Sequence, residues 1–274
     1  MPSISFDRAA DFYDATRGYA EGVAEQIRDA IVVYTGATSE TRFLELGVGT
    51  GRIALPFIQA GYDFTGVDIS QAMMEQLEQK LLPNPSYHYQ LQQADVTQLP
   101  FADNTFDIAY AVHVFHLVDG WQKAVQEVKR VLKPGGWLLV ARDSHPDDPT
   151  ESKAYPPAFV RTKWNEIREG LGVPKHRSMP GVWGDDEAIV KYLQQSGAKT
   201  AQVTLVEHFD PPITARQMVE RLINRLYSSD WDTSEELHQQ AALLLQKWLV
   251  EECSNPDELV TVPSQFKAIT ATWE

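Results

Sequence analysis

The chain has 274 residues, 43% hydrophobic and 23% charged, the composition of an ordinary folded protein long enough to bury a full core. A formal net charge of −14 and a pI near 4.9 spread a negative field that opposes phosphate backbones and anionic lipid, so neither nucleic acid nor a membrane surface is an expected partner. The single cysteine, Cys253, excludes an internal disulfide framework and a cysteine-cluster metal site and argues against thiol-based arsenic chemistry; with no spanning apolar run and no signal-peptide pattern at Met1–Ser5, a cytoplasmic protein is expected, with no metal.

Along the chain, Phe6 to Tyr19 is rich in aromatic and charged residues and reads as a folded flap. Val23, Ile27, Ile31 and Tyr34 recur at helical spacing, which predicts a helix before a first strand at Arg42 to Leu46. A glycine-punctuated turn, Gly47-Val48-Gly49-Thr50-Gly51, leads into a helix through about Ala60. A second strand from Asp63 ends at Asp68, and Met74, Leu77 and Leu81 give the next helix an apolar face. Tyr87, Tyr89 and Leu91 alternate as a third strand closing near Asp95, Phe106 to Val112 forms a fourth, and Val125, Val128 and Leu132 line a helix. Pro134-Gly135-Gly136 then turns into a fifth strand, Trp137 to Ala141. Strand and helix alternate throughout, which predicts an α/β protein with a parallel sheet covered on both faces.

The rhythm breaks after Arg142. Residues 144–184 hold many prolines, the cluster Lys175-His176-Arg177 and two tryptophans, with one helix near Ser152 to Gly170. It returns with a helix at Asp185 to Gln195 and a strand at Ala201 to Glu207. Thr214 with Gln217, and Thr233 with Glu236, have the spacing of capping boxes opening two amphipathic helices, and Gln265 to Trp273 reads as a last strand. The irregular blocks, 144–184 and 211–252, are expected to be insertions that build a lid over one edge of the sheet, where ligands of open α/β folds bind.

The chemistry starts at Phe43-Leu44-Glu45-Leu46-Gly47-Val48-Gly49-Thr50-Gly51. A buried strand turning through glycines exposes backbone to a ligand. A dinucleotide fingerprint spaces its glycines G-x-G-x-x-G, and here the third place is Arg52. A pyrophosphate is poorly served by a carboxylate at the loop mouth, whereas a ligand carrying an ammonium and a sulfonium is well served by Glu45. Asp68, at the end of the second strand, reads either as an acceptor for two ribose hydroxyls or as a helix N-cap, with even weight on each. Asp95-Val96 ends the third strand, where a carboxylate can accept from an adenine amino group.

These segments resemble the class I S-adenosylmethionine-dependent methyltransferases of small-molecule type. The resemblance covers Phe6 to Arg142 and rests on the stretch from Phe6 to Tyr19, the glycine loop, Gly66-Val67-Asp68, Leu99 to Asp107, and Arg130-Val131-Leu132-Lys133-Pro134-Gly135-Gly136. It implies a Rossmann-like, doubly wound, seven-stranded, mostly parallel sheet whose last strand is antiparallel, in a single domain: flap and helix over 1–40, a cofactor core over 41–143, and the lid blocks. The implied cofactor is S-adenosyl-L-methionine, with S-adenosyl-L-homocysteine as product. By position, Glu45 and the loop of Gly47, Gly49 and Gly51 would hold its methionine part and Asp68 the ribose. Ile69 and Met73 would flank the adenine, Asp95 and Val96 would address its edge, and the carbonyls around Val112 and His113 would receive the ammonium group. Tyr13, Arg17 and Tyr19 resemble the family's flap over the cofactor.

The acceptor is expected to be a small organic molecule. His116, just past the fourth strand, reads either as a general base or as a loop histidine packed beneath the lid, and His113 reads as a wall residue. Arg161, Lys163, Arg168, Lys175, His176 and Arg177 read as a solvated face, the alternative being a pocket for a carboxylate or phosphate. Trp164, Trp183, Trp231 and Tyr227 read as lid core before substrate cage. Two rival readings stand beside the methyltransferase: a scaffold that binds the cofactor without transferring methyl, with the helices from Thr214 to Glu252 as a dimer face, and a nicotinamide dehydrogenase, which Arg52 disfavours.

Overall fold

The computed structural model describes residues 4–82, 84, 86–145, 156–173, 181–182 and 185–274; the Lys175-His176-Arg177 cluster, Trp183 and the expected helix start at Ser152 lie outside them. One seven-stranded sheet organises the chain in the order β3-β2-β1-β4-β5-β7-β6. β1 (Arg42–Leu46), β2 (Asp63–Asp68), β3 (Tyr89–Gln93), β4 (Phe106–Val112) and β5 (Leu132–Ser144) are paired in parallel. β7 (Pro263–Thr272) slots between β5 and β6 (Lys199–Phe209) and runs antiparallel to both. The order reverses between β1 and β4, which opens a crevice beyond their carboxyl ends.

Helices cover both faces because the strands are apolar on both. α2 (Val23–Thr35) and α3 (Ala54–Gln59) bury Ile27, Ile31 and Phe57 against Phe43, Phe64 and Tyr110, and α4 (Gln71–Leu81) adds Met74 and Leu77. On the other face α5 (Trp121–Val131) and α7 (Asp186–Gln195) pack Val125, Val128, Ile189 and Leu193 on Leu44, Leu46 and Leu138. The flap forms a short α1 (Tyr13–Arg17) after a 3-10 turn at Asp7–Ala9.

α6 (Pro156–Gly170), α8 (Ala215–Ile223) and α9 (Glu235–Glu251) form a separate helical block with its own core of Val160, Trp164, Met218, Leu222, Ala241 and Leu245. Thr214 and Gln217 close both bonds of the capping box at α8. The box expected at Thr233 and Glu236 does not form: Ser234 caps α9, while the Thr233 hydroxyl accepts from the buried Arg168 guanidinium at 3.0 Å. Other boundaries move as well, among them β6, at Lys199–Phe209, and β7, at Pro263–Thr272. β3 starts at Tyr89, and β5 starts at Leu132, because Leu132 already pairs with Phe106 before the register shifts around Pro134-Gly135-Gly136 to join Trp137 to Ile108.

One ion pair ties the block together. Asp230, with no exposed surface, accepts from Trp164 Nε1 at 2.9 Å and pairs with Arg168 at 3.1 Å. Removing one partner of such a buried pair strands the other charge. Asp230→Ala is therefore expected to lower the unfolding free energy by about 3–5 kcal/mol, read from urea denaturation; a change within experimental scatter would refute this account of the block.

Candidate active site

At Gly47 the backbone turns with φ +70°, and a Cβ there would stand 2.5 Å from Val114 Cγ2. Only glycine lets the loop pass so close beneath the end of β4. The amides of Gly47 and Val48 both donate to the Val67 carbonyl, at 2.8 and 2.9 Å, the Gly51 amide donates to Val48 at 3.0 Å, and the Gly49 amide donates to Asp68 Oδ2 at 2.8 Å. The loop thus spends these donors on its own frame and offers a poor cradle for a pyrophosphate, which needs free N–H groups. What it presents instead is acid.

Glu45 lies deeper than the sequence suggested. β1 keeps pairing through Leu46, so the carboxyl is not at the loop mouth but beneath it, 3% exposed, accepting from the Tyr110 hydroxyl at 3.2 Å. Burial pushes it well above the usual carboxylate range, against the pull of Tyr110 and Arg52. Asp68 ends β2; its second oxygen accepts from the Ser70 amide at 2.8 Å, and burial raises it too, opposed by these two amides. Asp68 therefore fixes the glycine loop and the approach to α4, while Ser70, which accepts from the Met73 amide at 3.2 Å, is the N-cap.

Of the residues expected at the adenine, Met73 is buried, with its terminal methyl 3.4 Å from where a Gly49 Cβ would be, and Ile69 is exposed. Val96 is buried; Asp95 lies two residues past β3, exposed, with one oxygen accepting from Thr97 at both amide and hydroxyl, 2.8 Å each. Val112 closes β4. His113 follows with φ +56°, a strained backbone for a residue with a Cβ, held by its amide donating to the Ala141 carbonyl at 3.0 Å.

The flap is tied down at both ends. Ser70 donates to Asp7 and Thr50 donates to Asp14, each at 2.5 Å, and Lys80 bonds Asp14 and the Thr50 carbonyl. At the far end Tyr19 donates its hydroxyl to Asp143 at 3.0 Å. Tyr13 meets Phe6 edge-on, and Arg17 lies over the Tyr227 ring at 4.5 Å.

Asp143, which the sequence reading did not single out, gathers more partners than any expected site residue. Besides Tyr19 it meets His113 Nε2 at 3.0 Å, Arg52 at 3.4 Å and His208 Nε2 at 3.5 Å. Arg52 also stacks on Tyr19 at 4.4 Å and donates to the Arg17 carbonyl. Burial works to raise Asp143, but His113, His208 and Arg52 hold it well below the usual carboxylate range. The available signal was position: Asp143 follows β5's last pairing with β4 much as Asp68 ends β2.

His113 is pulled down by burial, with Asp143 opposing. His116, whose ring lies 6.5 Å from that of His113, is pushed down to about 3 by burial, with His113 and Arg17 adding. It is a neutral imidazole and a feeble base at neutral pH. His208, buried on β6, is raised by Asp143. Its stabilising charge is complete below the unfolded value of about 6.5 and is lost as pH rises through the raised folded value. His208→Gln is thus expected to cost more stability at pH 6 than at pH 9 in urea denaturation; an equal cost at both would remove the ion pair from the account.

Comparison with known proteins accords with this geometry. A family model described as a methyltransferase domain matches residues 44–140. The demethylmenaquinone methyltransferase of Chlamydia trachomatis serovar L2 is 34% identical over 196 residues, 70% of this chain and 78% of that protein. The demethylmenaquinone methyltransferase of Renibacterium salmoninarum is 35% identical over 142 residues, 52% of this chain and 58% of that protein. The solved YcgJ protein of Bacillus subtilis superposes with a TM-score of 0.56 at 19% identity, covering 91% of this chain and 98% of that one, a likeness of fold. Acids in place of free amides at the glycine loop fit a cationic cofactor, and the chain belongs to the class I S-adenosylmethionine-dependent methyltransferases, which transfer a methyl group to a small organic acceptor.

Proposed function

We propose that methyl transfer takes place beyond the ends of β1 and β4, between the glycine loop, the flap and the helical block, on a planar organic acceptor. The observation that carries the planar acceptor is an aromatic wall where flap meets block: Phe6 lies 6.0 Å from Tyr13 and 5.3 Å from Trp231, and Tyr227 faces Arg17. Demethylmenaquinone, for which the relatives are named, is by its name a quinone and so belongs to that class.

In this reading the chain is one domain. Residues 1–40 are flap and first helix, 41–143 the cofactor core, and 144–184 with 211–252 the lid, of which α6, α8 and α9 are the described parts. Glu45 and the Gly47–Gly51 loop hold the methionine part of the cofactor, Asp68 the ribose, and Ile69, Met73, Asp95 and Val96 the adenine. The carbonyls near Val112 and His113 take the ammonium group. Bound S-adenosylmethionine supplies a methyl already activated by its sulfonium. The chain's task is then to align the acceptor and exclude water, and orientation of this kind is worth about 7–11 kcal/mol. The closed flap, held by Asp7, Asp14 and Tyr19, supports water exclusion. A cytoplasmic setting is supported by the lone Cys253, and no helix among the described residues is long and apolar enough to cross a membrane. A homodimer has a candidate face on α9, where Leu243 and Val250 are exposed.

Two outcomes test these roles. Because Glu45 is raised by burial in the free protein, a cation placed beside it lowers its pKa, so S-adenosylmethionine binding should release a proton and tighten as pH rises. Calorimetry in buffers of different ionisation enthalpy should show this release, and Glu45→Gln should abolish it; release unchanged in the variant would place the cofactor elsewhere. His116→Gln should cost less than tenfold in turnover, since so weak a base adds little to an alignment-driven transfer. A loss of about 100-fold or more would restore His116 as the general base.

A further inference from the structure

Most cations of the helical block are already committed. Lys163 pairs with Glu166 at 3.8 Å, Arg168 with the buried Asp230, and Arg225 with Glu235 at 3.1 Å. Arg161 is different. Its guanidinium lies over the ring of Tyr227 at 4.3 Å, and no carboxylate among the described residues pairs with it. Arg17, coming from the flap, lies over the same ring at 4.5 Å and likewise has no carboxylate partner among them. Tyr227 is itself 5% exposed, with its hydroxyl on Met218 Sδ at 3.4 Å, so the ring is a fixed platform that cannot swing away from either cation.

In a chain with 38 acidic and 24 basic residues, two guanidiniums share one ring with no acid on them among the described residues. A single stacked arginine gains from the ring's negative face, but a second one repels the first. Arg17 is pulled below its ordinary value by burial first, with Tyr227 and Tyr13 opposing and Arg161 and Arg52 adding to the fall. The cofactor can resolve this repulsion for one of the two guanidiniums at most. Its one carboxylate is outweighed by its own ammonium and sulfonium, so loading it adds net positive charge to the cleft. With no acid on either guanidinium among the described residues, an anionic acceptor is the partner whose charge fits the pair.

We propose that Arg161, with Arg17 across the Tyr227 ring, forms an oxyanion subsite, and that the methyl acceptor is a planar organic molecule bearing a carboxylate or phosphate. The arginine fork suits either group, donating two parallel N–H bonds while its plane stays stacked. The subsite joins one residue from the flap to one from the block, so an anionic acceptor also draws the two together over the cleft. This rests on the planar-acceptor reading above and narrows it: a neutral planar molecule would bring no charge to the Arg161 guanidinium.

The test uses the full chain loaded with S-adenosylhomocysteine and titrated calorimetrically with benzoate, phenyl phosphate and neutral benzamide. Benzoate or phenyl phosphate should bind at least tenfold more tightly than benzamide. Arg161→Gln should erase that preference, Arg161→Lys should restore part of it, and Lys163→Gln, which removes a charge from the same helix, should leave it intact. S-adenosylhomocysteine affinity and the unfolding midpoint, measured on each variant, separate the failures. If S-adenosylhomocysteine does not bind the wild-type chain, the methyltransferase reading itself fails. If it binds but neither anion exceeds benzamide, or if Arg161→Gln keeps the preference, the oxyanion subsite is refuted and the two arginines only fasten flap to block.

Discussion

The carboxylate of Asp143 is the joint on which the site is assembled. Four parts of the chain far apart in sequence end on it: Tyr19 from the flap, Arg52 from the turn after the glycine loop, His113 from the end of β4 and His208 from β6. Burial alone would favour a neutral carboxyl, yet Asp143 stays ionised because these partners face it from all sides. The charge is thus affordable only when the pieces are together, and the pieces are held together by the charge. The strained His113 backbone is kept by the same junction, between the Ala141 carbonyl and the Asp143 side chain.

This junction sets what the glycine loop can do. With Arg52 turned toward Asp143 and the amides of Gly47, Val48, Gly49 and Gly51 donating to Val67, Asp68 and Val48, these four donors are not free for a phosphate. Glu45 and Asp68, both raised by burial, wait beneath and beside it. The loop has the outline of a nucleotide-binding turn with two buried acids in place of free amides. That difference separates a sulfonium cofactor from a dinucleotide more firmly than glycine spacing does.

The sheet was legible because its strands are apolar runs bounded by turn residues, so each strand was found within a few residues of its place. Helix starts were legible where the cap is a local bond, as at Thr214 with Gln217. They failed where a distant residue competed: Thr233 looked like a cap, but the buried guanidinium of Arg168 takes its hydroxyl. The depth of Glu45 was not legible for a related reason, since its cover by Tyr110 on the neighbouring β4 is a property of the sheet. Asp143 and His208 were missed because neither sits in a motif. Their importance comes from convergence of β5 and β6 through the antiparallel β7 between them, with Asp143 opposite Phe266 and His208 opposite Ser264.

The division between core and helical block follows from how each is held. The core is fixed by strand pairing and two apolar faces. The block is a separate core fastened to the flap by contacts that are polar and aromatic: Arg221 on the Ala15 carbonyl, Phe6 on Trp231, and Arg17 and Arg161 on Tyr227. Contacts of that kind are weak singly and respond to charge. The element most sensitive to what occupies the cleft is therefore the seam between flap and block, while Asp143 holds the other end of the flap, through Tyr19, to the sheet. On the reading proposed above, an acceptor held at that seam lies between these polar and aromatic contacts and the floor formed by the sheet, the arrangement that aligning it and excluding water requires.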